Sequence, residues 1–347
     1  MHIRTVLSHL FLAPILASPA SAQWTAQHSG TDVELRGLSV VSPRVAWASG
    51  QHGTVIHTAD SGRTWTVDTV PGAAALDLRS IAATSPTTAF AMSIGDSSRI
   101  FRTTDGGRTW SLRYVSVRKG SFFDALRFWD AKHGIAVSDP VDGHFLVVTT
   151  SDGGKTWQES PSDRMPAALA GEGAFAASGS CLTVDGRGTA WFATGGATVA
   201  RVFRSNDRGR SWTVSNAPIR AGAAAEGIFA VAFRDASHGV VVGGNYQKPV
   251  LGGRNFARSN DGGRTWTATD SASSPTGFRS AAAFVPGTGG RRLVAVGISG
   301  TDVSTDGGAT WVQTDTVGYN SVQFGGGVGY AVGPRGRVAR GDFKASP

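Results

Sequence analysis

Six copies of one eight-residue pattern, each ending in tryptophan, constrain this chain more than anything else in it. The pattern is [ST]-x-D-x-G-x-[ST]-W, and its aspartates are Asp60, Asp105, Asp152, Asp207, Asp261 and Asp306. Successive aspartates stand 45, 47, 55, 54 and 45 residues apart. A unit of that size cannot bury its apolar face alone, so neighbouring copies must stack, and the period predicts a repeat architecture.

Between boxes the local signals keep one order. In the first copy Leu35 to Val41 reads as a strand, Ser42-Pro43 as a turn and Val45 to Ser49 as a second strand. A glycine-bearing loop then leads to Thr54–Thr58, and the box turns the chain into Thr64 to Asp68. Four short β runs separated by turn chemistry, repeated every 40 to 55 residues, are the signature of a β-propeller. The inner runs of later copies start near Leu78, Phe123, Phe175, Phe229 and Phe278, the fourth reading as a strand from Phe175 to Val184. After the sixth box come three strands without a box, from Tyr319 to Arg340, while Gln23-Trp24-Thr-Ala-Gln27 matches the tryptophan strand that follows each box. The expectation is therefore an all-β, seven-bladed propeller of four-stranded blades, closed by its N-terminal strand. A six-bladed ring is the alternative. Blades are placed at about 34–69, 76–115, 122–160, 173–215, 226–269, 277–314 and 318–341 with strand 23–28, all within one domain spanning 23–347.

Composition fits that reading. Forty-seven glycines and a charged fraction of 17% suit many turns and few long surface helices. The net charge of +8 admits anionic partners. Its basic residues are scattered singly, which argues against a nucleic-acid tract. Met1 to Arg4 is a short positive region, Val6 to Ala17 is mostly apolar, and Ala20-Ser21-Ala22 forms an A-x-A cleavage site. Residues 1–22 are thus expected to be a cleaved signal peptide, and the chain to be exported to a bacterial periplasm or beyond. No run is long enough to span a bilayer. Cys181 is the sole cysteine, so no intrachain disulfide is expected, and the eight histidines lack metal-ligand spacing. No metal, no cofactor and a monomer are expected. Gly325 to Tyr330 lacks the third glycine and the helix of a dinucleotide loop, and no Gly-x-Ser-x-Gly elbow occurs.

Each box carries one carboxylate, which suits a turn better than a calcium loop. The aspartate is expected to accept hydrogen bonds from turn N–H groups and box hydroxyls, and the tryptophan to pack between blades. All six aspartates are therefore read as structural.

The repeated pattern is the Asp-box, or BNR repeat. The chain resembles Asp-box propellers, most of all the photosystem II stability and assembly factor family of exported propellers. It is more distantly similar to the propellers of sialidases and sortilin-type receptors. The resemblance covers the chain after the leader, and its motifs are specific to fold. It implies a non-catalytic assembly scaffold. The Phe-Arg-Ile-Pro motif of sialidases is absent, although Phe278-Arg279 partly echoes it.

In a propeller the boxes share one rim, so strand starts and the loops between second and third strands surround the opposite channel mouth, where ligand sites gather. Arg36, Arg79 and Arg279 there suggest a clamp for a carboxylate, sulfate or phosphate, with Asn320 between them and His52 and Tyr246 nearby. Asp124, Asp139 and Glu172 face them from blades three and four. The competing reading is that the arginines pair with nearby acids and hydrate the channel. Two functions remain open on sequence. One is a non-catalytic scaffold binding a protein segment at the mouth. The other is a glycoside hydrolase or lectin for acidic glycans, whose catalytic carboxylates would come from Asp124, Asp139 and Glu172.

Overall fold

Seven antiparallel sheets of four strands make up the computed structural model, which describes residues 24–343. The leader expected at 1–22 lies outside the described residues. The innermost strands, from blade one to blade seven, are Leu35–Val40, Ser80–Ala83, Phe123–Phe128, Leu182–Val184, Glu226–Phe233, Ala281–Phe284 and Ser321–Gly325. In six blades the strand order within the sheet follows the sequence. The seventh takes Thr25–Gln27 as its outer strand, in register with Val338–Arg340. Trp24 anchors this closure: its indole N–H donates to the Thr301 hydroxyl (3.1 Å) of blade six, and its ring packs edge-on to Phe343. Gln27 ties the same strand to the first box, accepting from the Trp65 indole (3.2 Å). Closure completes the seventh sheet, so the ring presents only the short outer edges of its four-stranded blades.

The boxes are built alike. In blade one the Thr58 hydroxyl donates to Asp60 Oδ1 (2.8 Å) and accepts from the Gly62 N–H (2.9 Å). The Thr64 N–H and hydroxyl donate to Asp60 Oδ1 (3.0 Å) and Oδ2 (2.7 Å). The same four bonds recur at Asp105, Asp152, Asp207, Asp261 and Asp306. The donors stabilise the charged form. At Asp60 the Thr64 N–H and then its hydroxyl hold the carboxyl down at about 2, and at Asp105 the Thr109 hydroxyl and then its N–H do the same.

Box tryptophans lean toward the preceding blade: Trp65 meets Tyr330 of blade seven, Trp110 meets Trp47 of blade one, and Trp311 meets Phe256 of blade five. Seven apolar clusters result, one at each interface between neighbouring blades. Removing one such ring costs about 3–5 kcal/mol in a packed core. The ring is therefore held together between blades, which frees its two ends to differ.

Blade four breaks the repeat. Its inner ladder holds Leu182–Val184 alone, although the sequence pattern predicts a strand from Phe175. The preceding residues leave the sheet and run into the channel. The Ala174 N–H donates to Asp139 of blade three (2.9 Å), and Ala177 O accepts from Arg36 of blade one (3.1 Å). The Ser178 hydroxyl donates to Ser280 O of blade six (2.8 Å), and Ser180 O accepts from the Val231 N–H of blade five (3.0 Å). Small side chains explain the detour. Gly179 has φ +66°, and a Cβ there would lie 2.9 Å from the Ser80 hydroxyl of blade two. Beside the entry point Gly195 and Gly227 pair so closely that a Cβ on Gly227 would lie 2.4 Å from Gly195 Cα. This segment divides the channel into a mouth end, at the strand starts, and a box end.

Candidate functional site

Above the blade-four segment lies a cavity of about 390 Å³ at the mouth end. One wall is polar, formed by Glu34, Arg36, Arg79, Asp124 and Asn320. The facing wall is apolar, formed by Phe122, Phe175, Phe229, Tyr246, Phe278 and Ile298, and Ala174, Ala176 and Ala177 lie between them. The Phe175 and Phe229 rings stack at 3.9 Å, and Phe278 and Tyr246 meet Phe229 edge-on. In the sequence Phe175, Phe229 and Phe278 mark strand starts, and in blade three the start is marked by Phe123, the core neighbour of the lining Phe122. An aromatic at that position in four consecutive blades, three to six, was the available signal for a binding wall.

Two of the three predicted clamp arginines line the cavity, each with its own acid. Arg36 pairs with Glu34 (2.7 Å) and Arg79 with Asp77 (2.8 Å). In extended chain, residues two apart share a face, so the patterns Glu-x-Arg and Asp-x-Arg already encode these pairs. Burial lowers the Arg36 guanidinium from its usual range; Glu34 opposes that effect and Arg79 adds to it. Asn320 completes the wall by donating to Glu34 Oε1 (3.1 Å) and Leu35 O (3.0 Å).

Arg279 is placed differently from the expectation. It is fully buried and bonded through Nε to Asp302 (2.6 Å), with Nη1 donating to the Ser299 hydroxyl (2.8 Å). Its neighbours Phe278 and Ser280 line the cavity, so chain alternation carries the Arg279 side chain away from it. The clamp is thus an Arg36–Arg79 pair. Tyr246 lines the cavity and is 47% exposed, whereas His52 is exposed and outside the lining, in a turn with φ +58°.

The three candidate catalytic carboxylates do not converge on the cavity. Asp124 lines it but is fully buried, and neither of its carboxyl oxygens has a hydrogen-bond partner. Burial first, and the neighbouring Asp139 second, push its carboxyl well above the usual range, while Arg79 pulls the other way. Burial raises Asp139 to about 6, opposed by the Ala174 N–H that its Oδ1 accepts. Glu172 is saturated. It accepts from the Thr194 hydroxyl, from the Leu169 N–H (2.9 Å) and from Nε and Nη2 of Arg201, and it pins the root of the blade-four segment. The remaining carboxylate in the lining, Glu34, is held by Arg36 and Asn320. Among the described residues no three His, Cys, Asp or Glu side chains gather as a metal site, and no helix is long and apolar enough to cross a membrane.

A family model described as the BNR/Asp-box repeat matches residues 101–112. No curated protein matches the chain. Among solved structures the chain is similar to YCF48 bound to D1 peptide, at 17% identity and a TM-score of 0.65, covering 95% of this chain and 100% of that one. It is also similar to YCF48 from Cyanidioschyzon merolae, at 17% identity and a TM-score of 0.62, covering 92% and 99%. At that identity the likeness is one of fold, and it extends over nearly the whole propeller.

Proposed function

We propose that this chain is an exported, non-catalytic propeller whose mouth holds a segment of a partner protein during assembly of a larger complex. The observation that carries this reading is the two-walled cavity, closed below by the blade-four segment. Its aromatic wall suits an apolar side chain, and Arg36 and Arg79 suit a carboxylate or another anionic group beside it. Val250 (80% exposed) and Ile298 (53%) stand out as apolar groups in the loops of blades five and six at this end. A bound carboxylate competes with Glu34 and Asp77 for the guanidiniums. Affinity then comes from the aromatic wall, and the arginines supply selectivity. A solved propeller of the same fold holds a peptide, which supports a protein segment as the occupant. Export rests on the leader-like residues 1–22. Hydrolysis of a glycoside needs two working carboxylates beside one bond. The cavity offers a buried Asp124 and an occupied Glu34.

Purified chain lacking residues 1–22 is to be screened against an array of extended peptides and an acidic-glycan panel, with hits measured by calorimetry. Peptides pairing an apolar with an acidic residue are expected to bind. Tyr246→Ala should weaken all of them, and the double variant Arg36→Ala/Arg79→Ala should weaken the acidic ones by about tenfold or more, on the order of 1.4 kcal/mol. Binding confined to glycans, or peptide binding indifferent to all three substitutions, would overturn the proposal.

A further inference from the structure

Below the blade-four segment, at the box end, the channel holds a second cavity of about 230 Å³. The ends of the inner strands of blades three to seven line it, together with Ser180 of the crossing segment. Its charged group is Arg127 of blade three. Nη1 of Arg127 donates to Leu126 O (2.9 Å), and no carboxylate of the described residues lies within ion-pair distance. Four arginines toward the mouth end are compensated: Arg36 by Glu34, Arg79 by Asp77, Arg201 by Glu172 and Arg279 by Asp302. Burial lowers Arg127 to about 10, which still leaves it a cation at neutral pH. Arg127 is half-buried, and a partly desolvated charge without a counter-charge favours an anion beside it.

The rest of the lining agrees. The hydroxyls of Ser180 and Thr183 have no hydrogen-bond partner among the described residues, and Gln323 accepts from the Val40 N–H through Oε1 (3.2 Å), leaving its NH₂ to donate. No aspartate or glutamate lines the cavity. A guanidinium, two hydroxyls and a carboxamide NH₂ around an acid-free space form a donor set for an oxyanion.

We propose that the box-end cavity binds a small oxyanion of the phosphate, sulfate or carboxylate class, held by Arg127 with Ser180, Thr183 and Gln323. The site lies on the opposite side of the blade-four segment from the mouth and does not depend on the function proposed for it. The anion can be a free ion or the carboxylate of a peptide terminus, and the two sources are separable by experiment. Thermal unfolding of the chain lacking residues 1–22 is to be followed in rising inorganic phosphate, sulfate, acetate or a short acidic peptide, against chloride at matched ionic strength. Calorimetric titration of each ligand accompanies it. At least one oxyanion is expected to raise Tm beyond chloride, and Arg127→Gln to weaken its binding by about tenfold or more. Phosphate or sulfate doing so assigns a free ion; the peptide alone doing so, with its amidated form inactive, assigns a terminal carboxylate. If Arg127→Gln does not fold, Thr183→Val with Ser180→Ala provides the same comparison. No oxyanion effect beyond chloride, or an effect that survives these substitutions, overturns the site.

Discussion

The two ends of the channel are made from the same seven inner strands, yet they handle charge in opposite ways. At the mouth end every arginine named above is matched by an acid: Arg36 by Glu34, Arg79 by Asp77, Arg279 by Asp302. At the box end Arg127 stands without one, inside an acid-free lining. The acids differ too. Box carboxylates are surrounded by donors and held ionised, whereas at the mouth end the buried Asp124 and the half-buried Asp139 are pushed toward the protonated form. A repeated motif fixes the box rim six times over. The mouth, built from strand starts and loops, is where the copies diverge, as expected when function is grafted onto a scaffold.

The largest effect should come from unbalancing a matched arginine. Asp302→Ala leaves the fully buried Arg279 cation without its partner and should cost about 3–5 kcal/mol, read by urea unfolding. Adding Arg279→Met should recover most of that loss, because the pair is then replaced by apolar groups. Arg127→Met at the other end removes a charge that has no partner to orphan. In chloride it should be neutral or stabilising. Equal losses at Asp302→Ala and Arg127→Met would erase the contrast between the two ends.

Much of this contrast was readable beforehand, and its gaps have physical causes. Seven blades follow from six boxes plus Trp24, since a box-type strand at the N-terminus has no other blade to complete. The acids of Arg36 and Arg79 stand two residues ahead of them in the chain and were visible, though not used. Arg279 was misplaced because parity depends on which face each residue of the strand start presents, and the pairing register is set by tertiary contacts. The blade-four detour was hidden because Phe175 to Val184 alternates like a strand. Its run of alanine, serine and glycine gave the only hint that tertiary contacts with the other blades would override the pattern. Arg127 sits mid-strand in Phe123–Phe128, and the absence of an acid around it belongs to the assembled ring alone.

An intermediate effect is expected from relieving the mouth-end acids. The folded value of Asp139, about 6, lies above the roughly 3.9 of an unfolded aspartate. The folded chain therefore holds this proton more tightly than the unfolded chain does. Stability from this group is greatest below about pH 4 and falls as pH rises to about 6, after which it is flat. Asp139→Asn keeps an oxygen for the Ala174 N–H and removes the titration. Its Tm should match the parent near pH 4 and exceed it at pH 7, by the equivalent of about 2–3 kcal/mol. A parent Tm that does not decline between pH 4 and 6 relative to Asp139→Asn would place Asp139 in solvent.

The smallest effect should have the opposite sign of pH dependence. Asp207 accepts from the Ser205 hydroxyl (2.7 Å), the Ser211 N–H (2.9 Å), the Ser211 hydroxyl (2.6 Å) and the Arg210 N–H (3.0 Å). Burial works against its ionisation, and these donors outweigh burial, so its carboxyl is held below the usual range. A depressed folded value means the contribution is complete above about pH 4 and fades as pH falls through that value. Asp207→Ala should therefore lower stability by about 1 kcal/mol at pH 7, since several partly exposed hydrogen bonds are exchanged for bonds to water. The gap to the parent should narrow as pH falls below about 4. Mouth-end acids then erode stability on the alkaline side of pH 4 and box-end acids on the acid side, so the parent should be most stable near pH 4–5. Thermal unfolding of the parent, Asp139→Asn and Asp207→Ala across pH 2 to 8 tests both slopes at once. Curves that stay parallel throughout would show that the two ends titrate alike.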